Sequence, residues 1–206
     1  ALAALADCYR RQGEIHALVV PKGKLPVMLS GEQASQLVND GGACLRGDAS
    51  AAIQLVAIGA YQLQQCLLAW RRLEDRGLNA AVVYLLEPGR FREFPRDTLE
   101  AGCQAALDDL LPAKASRVVL AHSRPEAIRG LLPAGRAARV LGYRNRGGTL
   151  DVEGMLFANG CSWLHVLTAV AELTGNNIAD WLTSTEQDAL AGRIDPRALL
   201  RIEENP

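Results

Sequence analysis

Two lysines carry the most suggestive chemistry in the sequence. Lys22 and Lys24 follow an apolar run of strand length, Ile15–Val20, in the loop Pro21-Lys22-Gly23-Lys24-Leu25-Pro26. A glycine and two prolines stiffen that loop, so it can hold ammonium groups at a sheet edge where they would donate to a phosphate. A plain basic surface turn has the same spacing, and the chemistry of the residues alone favours that turn. His122 and Ser123 offer a base and a hydroxyl, but they are adjacent, and neighbouring side chains diverge too far to form a nucleophile–base pair. His165 lies in an apolar helical stretch and His16 alternates with apolar residues, so both read as structural. Five cysteines (8, 44, 66, 103 and 161) form no C-x-x-C pair, and with three histidines they suggest neither a zinc site nor a disulfide framework. Reduced thiols, mostly buried as small hydrophobes, fit a cytoplasmic protein. The segment Ile58-Gly59-Ala60-Tyr61-Gln62-Leu63 has one glycine and a crowding tyrosine where a dinucleotide fingerprint needs three glycines. The sequence contains no P-loop, no G-x-S-x-G elbow and no H-E-x-x-H.

The elements that must position these residues alternate. Ile53–Ile58, Ala80–Leu86, Arg117–Ala121 and Ala138–Gly142 are apolar runs of strand length. Helical patterns separate them: Ala60–Arg76, Arg96–Leu111 with Asp97 as N-cap, and Pro125–Leu131. A long helix from Cys161 to Thr174 and a shorter one over Thr185–Ala191 follow. This pattern predicts a three-layer α/β/α fold with a mostly parallel sheet of about five strands, the four runs being parallel neighbours. Ligands of such sheets bind outside the carboxyl ends of the strands. Here those ends are Gly59-Ala60-Tyr61, Glu87-Pro88-Gly89-Arg90, His122-Ser123-Arg124 and Tyr143-Arg144-Asn145. Residues 1–50 read as a lead-in: a helix over Ala1–Arg11, the strand Ile15–Val20, a helix Gly31–Asn39 opened by a Ser30/Gln33 capping box, a short edge strand Ala43–Arg46 and a small-residue linker. Because the chain opens inside a helical pattern, it is expected to be part of a longer protein.

Bulk properties narrow the classes. The 206 residues are 49% hydrophobic and 22% charged, with a net charge of −1, which offers no overall attraction to nucleic acid or to a membrane surface. No apolar run is read as approaching the roughly 18–20 residues of a membrane span. Charge is uneven: Arg117 to Arg146 holds seven arginines and one acid, whereas Glu172 onward holds seven acids and three arginines. The basic stretch suits either a solvated surface or a contact surface for an acidic partner or an anionic ligand.

The collinear order adds a resemblance. A strand leading into K-G-K-L-P, then a helix, a linker, I-Q-L-V-A-I-G-A, a long helix ending R-L-E-D-R-G, and A-A-V-V-Y-L-L resembles the transketolase superfamily. In transketolases the corresponding strand leads into R-Q-x-L-P, joining the pyrimidine-binding domain to the C-terminal domain. The tail is similar to phosphoketolases: Gly142-Tyr143-Arg144-Asn145-Arg146-Gly147-Gly148-Thr149 parallels their G-Y-K-E-E-G-T-T, and Met155, Asn159 and His165 fall at matching positions. Gly23 stands in place of the family's glutamine, Ala60-Tyr61 in place of Ser-Glu, and Ser162-Trp163 in place of Asp-Arg.

The resemblance implies residues 1–50 as the end of a pyrimidine-binding domain plus linker, and 51–206 as a C-terminal α/β domain. It implies that Lys22 contacts the phosphate of a sugar-phosphate substrate. The parent enzyme would cleave or transfer a two-carbon ketol unit of a phosphorylated ketose, using thiamin diphosphate and magnesium. The family holds that cofactor in preceding domains through G-D-G…N and an activating glutamate, and Gly47-Asp48-Ala49 is not that motif. The chain alone is therefore expected to bind no cofactor and to be inactive without the upstream domains. Its role would be domain packing and homodimerisation in a cytoplasmic enzyme, with no nucleic-acid or membrane partner. Three alternatives stay open: the end of an α-keto-acid dehydrogenase E1 component, a flavodoxin-like binding or regulatory module, and a stand-alone scaffold subunit.

Overall fold

Apolar residues that fill both faces of a strand leave it no place but the middle of a sheet. In the computed structural model, which describes residues 2–11, 13, 15, 17–21, 23–91, 107–133, 135–146, 148 and 150–200, β2 (Ile53–Ile58) is buried at all six positions. It lies at the centre of a five-stranded sheet with β1 (Gly42–Arg46), β3 (Ala80–Leu85), β4 (Ser116–Ala121) and β5 (Ala137–Gly142), in the order β1-β3-β2-β4-β5. The four strands β3, β2, β4 and β5 are parallel neighbours, as the alternation predicts, with Leu55 opposite both Val82 and Val118. Only β1 runs antiparallel, pairing Gly42 with Leu85. The sheet thus reaches back across the 50/51 boundary drawn from the sequence.

Helices cover both faces. Leu63, Cys66, Ala69 and Leu73 of α3 (Ala60–Glu74) pack with Leu164, Leu167 and Val170 on one side of the sheet. On the other side Ile128 of α4 (Pro125–Arg129) joins Leu107 and Leu111 against Val56, Val83 and Val119. Residues 107–110 are helical, but the rest of the helix read over Arg96–Leu111, Asp97 included, lies outside the described residues. Two further helices, α1 (Leu2–Arg10) and α2 (Gly31–Asp40), form the lead-in. The latter is opened by the Ser30/Gln33 capping box and closed by Gly41 at φ 77°.

Three readings are corrected. Ile15–Val20 is not a strand: residues 15 and 17–20 are irregular and exposed, because no strand of this sheet offers them a ladder. A helix absent from the reading, α5 (Val152–Ala158), starts on Asp151, whose carboxylate accepts from the Gly154 N–H at 2.8 Å. It precedes α6 (Trp163–Thr174), and the 23-residue stretch Val152–Thr174 is long and apolar enough to cross a membrane, contrary to the sequence reading. That stretch is broken at residues 159–162, and 67% of its most apolar window is buried inside the protein. Next comes α7 (Ser184–Leu190), which Arg72 of α3 holds through a two-pronged pair with Glu186 at 2.8 and 3.2 Å. The last helix is the short α8 (Arg197–Leu200).

Candidate functional site at the carboxyl ends of the strands

The chain leaves β2 toward α3 on one face and β4 toward α4 on the other. Neighbouring strands whose connections part in this way open a crevice at their carboxyl ends. His122, the first residue after β4, closes it: its main-chain N–H donates to the Ile58 carbonyl at 3.1 Å, and its Nδ1 lies 3.2 Å from the same oxygen. Gly59 makes this close approach available. At φ 111°, a Cβ there would come within 2.4 Å of Gln62 Oε1 and 3.3 Å of the His122 Cβ.

Above the crevice lies a cleft of about 580 Å³ between these strand ends and the lead-in. Tyr61, Gln62, Tyr84, Glu87 and His122 line it from the sheet side, and Cys8 from α1. Pro21 lines it as well, and on the far side of Lys22 a Cβ on Gly23 would lie 3.1 Å from the Tyr61 hydroxyl. Gly23 and Tyr61, two of the departures from the family pattern, therefore face each other, and the missing side chain of one makes room for the ring of the other. Lys22 itself lies outside the described residues, as do His16 and Cys103. Lys24 is exposed.

The structure separates His122 from Ser123. Ser123 Oγ is buried and makes no hydrogen bond among the described residues, while the Ser123 carbonyl accepts from the Tyr143 N–H at 3.0 Å. No nucleophile–base pair forms there. His165 is structural: its Nδ1 meets Ser162 Oγ at 2.8 Å, its ring stands edge-on to Phe157 at 4.9 Å, and burial lowers its pKa to about 4. Among the described cysteines Cys66 and Cys161 are buried and Cys8 and Cys44 half-buried, all free. Burial raises the Cys66 thiol far above its ordinary range and Cys161 to about 11.

The arginine stretch divides. Arg117 belongs to neither reading given for it. It is buried at the amino end of β4 and has no carboxylate partner among the described residues, donating to Gln54 Oε1 at 2.9 Å, the Pro133 carbonyl at 3.1 Å and the Pro112 carbonyl at 2.5 Å. The other six arginines are exposed. Asn159, whose role the residues alone did not disclose, fixes the loop bearing two of them. Its Oδ1 accepts from the Arg144 and Arg146 N–H groups at 2.9 and 3.0 Å, and its Nδ2 donates to the Arg146 and Met155 carbonyls at 3.1 and 2.8 Å.

Gly47 and Asp48 do not fit thiamin diphosphate with magnesium. Asp48 turns its carboxylate onto the Ser50 N–H at 2.7 Å, and a Cβ on Gly47 would meet the Ala80 carbonyl at 2.4 Å. That glycine and aspartate shape the turn before β2 rather than a diphosphate cradle. Among the described residues no group of three or more His, Cys, Asp or Glu side chains could hold a metal.

No family model and no curated protein matches the sequence. Solved structures are similar. Transketolase from Leishmania mexicana matches with a TM-score of 0.51 at 15% identity, over 68% of this chain and 19% of that one. A mutant of Pichia stipitis transketolase in complex with fructose-6-phosphate matches with a TM-score of 0.51 at 18% identity, over 73% of this chain and 21% of that one. The chain thus spans about a fifth of the length of these solved chains. With its five-stranded, mostly parallel sheet between helices, the protein has a transketolase-like fold, of the kind that forms the C-terminal domain.

Proposed function

We propose that this chain is the C-terminal domain of a thiamin-diphosphate-dependent enzyme that cleaves or transfers a two-carbon ketol unit of a phosphorylated ketose, and that its part is domain packing and dimerisation. One observation carries the reading. Among the described residues, nine of the twelve exposed large hydrophobics fall within the first 28 positions, among them Leu2, Tyr9, Ile15, Val19, Val20 and Val27. Single exposed apolar residues are ordinary, but a concentration of this kind marks a surface that another body covers. The apolar run at 15–20, irregular here, would add a strand to the sheet of a preceding domain and gain there the ladder it lacks. The transketolase-like fold over a fifth of a transketolase's length supports the same arrangement, and the phosphoketolase-like G-Y-R-N-R-G-G-T segment favours a ketose phosphate.

The chain's own residues supply one wall of the cleft, a phosphate contact from Lys22, and the docking surface of the lead-in. The activity resides with the preceding domains. The test compares this chain with a version extended by its upstream coding sequence. The extended protein should bind thiamin diphosphate with magnesium in calorimetry and release a two-carbon product from xylulose 5-phosphate or fructose 6-phosphate. The 206-residue chain should do neither. Turnover of an α-keto acid by the extended protein would favour a dehydrogenase E1 component instead. Micromolar cofactor binding by the chain alone would overturn the domain assignment.

A further inference from the structure

We infer that the outer edge of β5 is a docking site for an extended, acidic segment of a partner protein, which adds a strand to the sheet. Among the described residues no strand pairs with that edge. Beside it runs a cleft of about 540 Å³ between β5 and α4. Ile128, Leu132 and Val140 form its apolar floor, and Arg129 and Arg144 stand at its rim. A strand laid along β5 would send alternate side chains into this floor and place the remainder outward, the period-two arrangement of strand addition.

Charge selects the occupant. Arg124, Arg129, Arg144 and Arg146 are exposed around this end of the sheet, and the backbone of Arg144 and Arg146 is held in place by three hydrogen bonds to Asn159. Carboxylates on the incoming segment would meet guanidinium groups whose loop is already ordered, which lowers the cost of association. A second copy, paired antiparallel about a two-fold axis, would instead bring Arg144 toward Arg136 at the amino end of the other β5, and like charges across a strand pair are destabilising. Arg139, in the middle of β5, does not block the edge. It lines the cleft together with Leu141, and its guanidinium is drawn aside by Glu172 at 3.1 Å. The edge is thus guarded against self-pairing by charge and open to an acidic strand.

A fluorescein-labelled peptide of alternating valine and glutamate serves as probe. Its anisotropy should saturate with a dissociation constant on the order of tens of micromolar and weaken with added salt, as for screened surface charges. The double variant Arg129→Glu, Arg144→Glu should bind at least about tenfold more weakly with an unchanged melting temperature, as surface substitutions leave stability nearly untouched. A peptide with lysine for glutamate, and one N-methylated at alternate amides, should not bind. Absence of saturable binding, equal binding of the lysine or N-methylated peptide, or tighter binding of oligouridylate would overturn the proposal. So would a dimer in sedimentation whose dissociation is needed to expose the peptide site. The inference does not rest on the proposed enzymatic role, and the probe contains no substrate or cofactor.

Discussion

The main-chain N–H of Trp163 donates to the side-chain Oε1 of Gln65 at 2.8 Å, across 98 positions of sequence. Helix α6 is therefore capped by helix α3 and not by its own preceding serine, because the Ser162 hydroxyl is engaged with His165. Both partners are buried, so no water replaces a lost bond. Gln65→Leu should lower the unfolding free energy by about 1–3 kcal/mol, the cost of an orphaned buried donor. Urea denaturation followed by tryptophan fluorescence measures it. An unchanged midpoint would show that the helix end is satisfied without Gln65.

His165 makes the fold sensitive to acid. Burial lowers its pKa to about 4 from an ordinary 6.5, so between those values the unfolded chain takes up a proton that the folded chain refuses. Stability from this group is fully present above pH 6.5 and is lost as pH falls toward 4. The loss should be on the order of 2–3 kcal/mol across that window, and a variant that cannot titrate, His165→Gln, should lose less between the same two pH values. Urea midpoints at both ends of the window, for both proteins, decide the matter. Equal pH dependence would mean that other groups govern the acid limb.

Much of this was legible in the sequence, for reasons that differ by element. The four parallel strands could be read because Ile53–Ile58 and Ala80–Leu85 are apolar on both faces, and two-sided burial leaves a composition signal. Ser30 and Gln33 announced α2 because a capping box is a local device. Ile15–Val20 misled because an apolar run states a tendency to pair but cannot supply the partner strand. Helix α5 was missed because a seven-residue helix is too short to establish a period, although Asp151 followed three positions later by Gly154 marks its cap. At the candidate site, the strand ends were located correctly, yet the contact of Tyr61 with the Gly23 loop joins segments far apart in sequence. Nothing local marks such a pair. Arg117 looked like one of seven surface arginines, since burial of a cation by carbonyl groups leaves no trace in residue type.

Arg117 should be among the least replaceable residues. Its guanidinium satisfies three acceptors at the amino end of the sheet, and Gln54 in turn donates to the Ala49 and Leu110 carbonyls at 2.7 and 3.0 Å. Arg117→Met should cost about 3 kcal/mol or more, because the methionine fills volume but orphans the three oxygens. Arg117→Lys should recover little, since a single ammonium cannot span the fork of a guanidinium. Gly135→Ala should be costly through the same group: at φ 65° its new Cβ would meet both Arg117 and the Ala115 carbonyl. Thermal melts of the three variants rank them, and full stability of Arg117→Lys would show that charge alone suffices.

Lys22 is the phosphate contact of the proposed function, and in the sequence it stands between Pro21 and Gly23. Pro21 lines the cleft over the strand ends, and a Cβ on Gly23 would lie 3.1 Å from the Tyr61 hydroxyl. A charge-assisted hydrogen bond to phosphate contributes on the order of 1.5–3 kcal/mol. Lys22→Ala in the enzyme carrying its preceding domains should therefore raise KM for a phosphorylated ketose by roughly tenfold or more. The effect on an unphosphorylated ketose should be small, because the lost contact is to the phosphate alone. Melting temperature should change little, as surface substitutions stay within about 0.5 kcal/mol. Steady-state assays on both substrates, paired with melts, separate the cases. Equal losses on both substrates would place Lys22 in general loop order, and unchanged kinetics would remove it from the site.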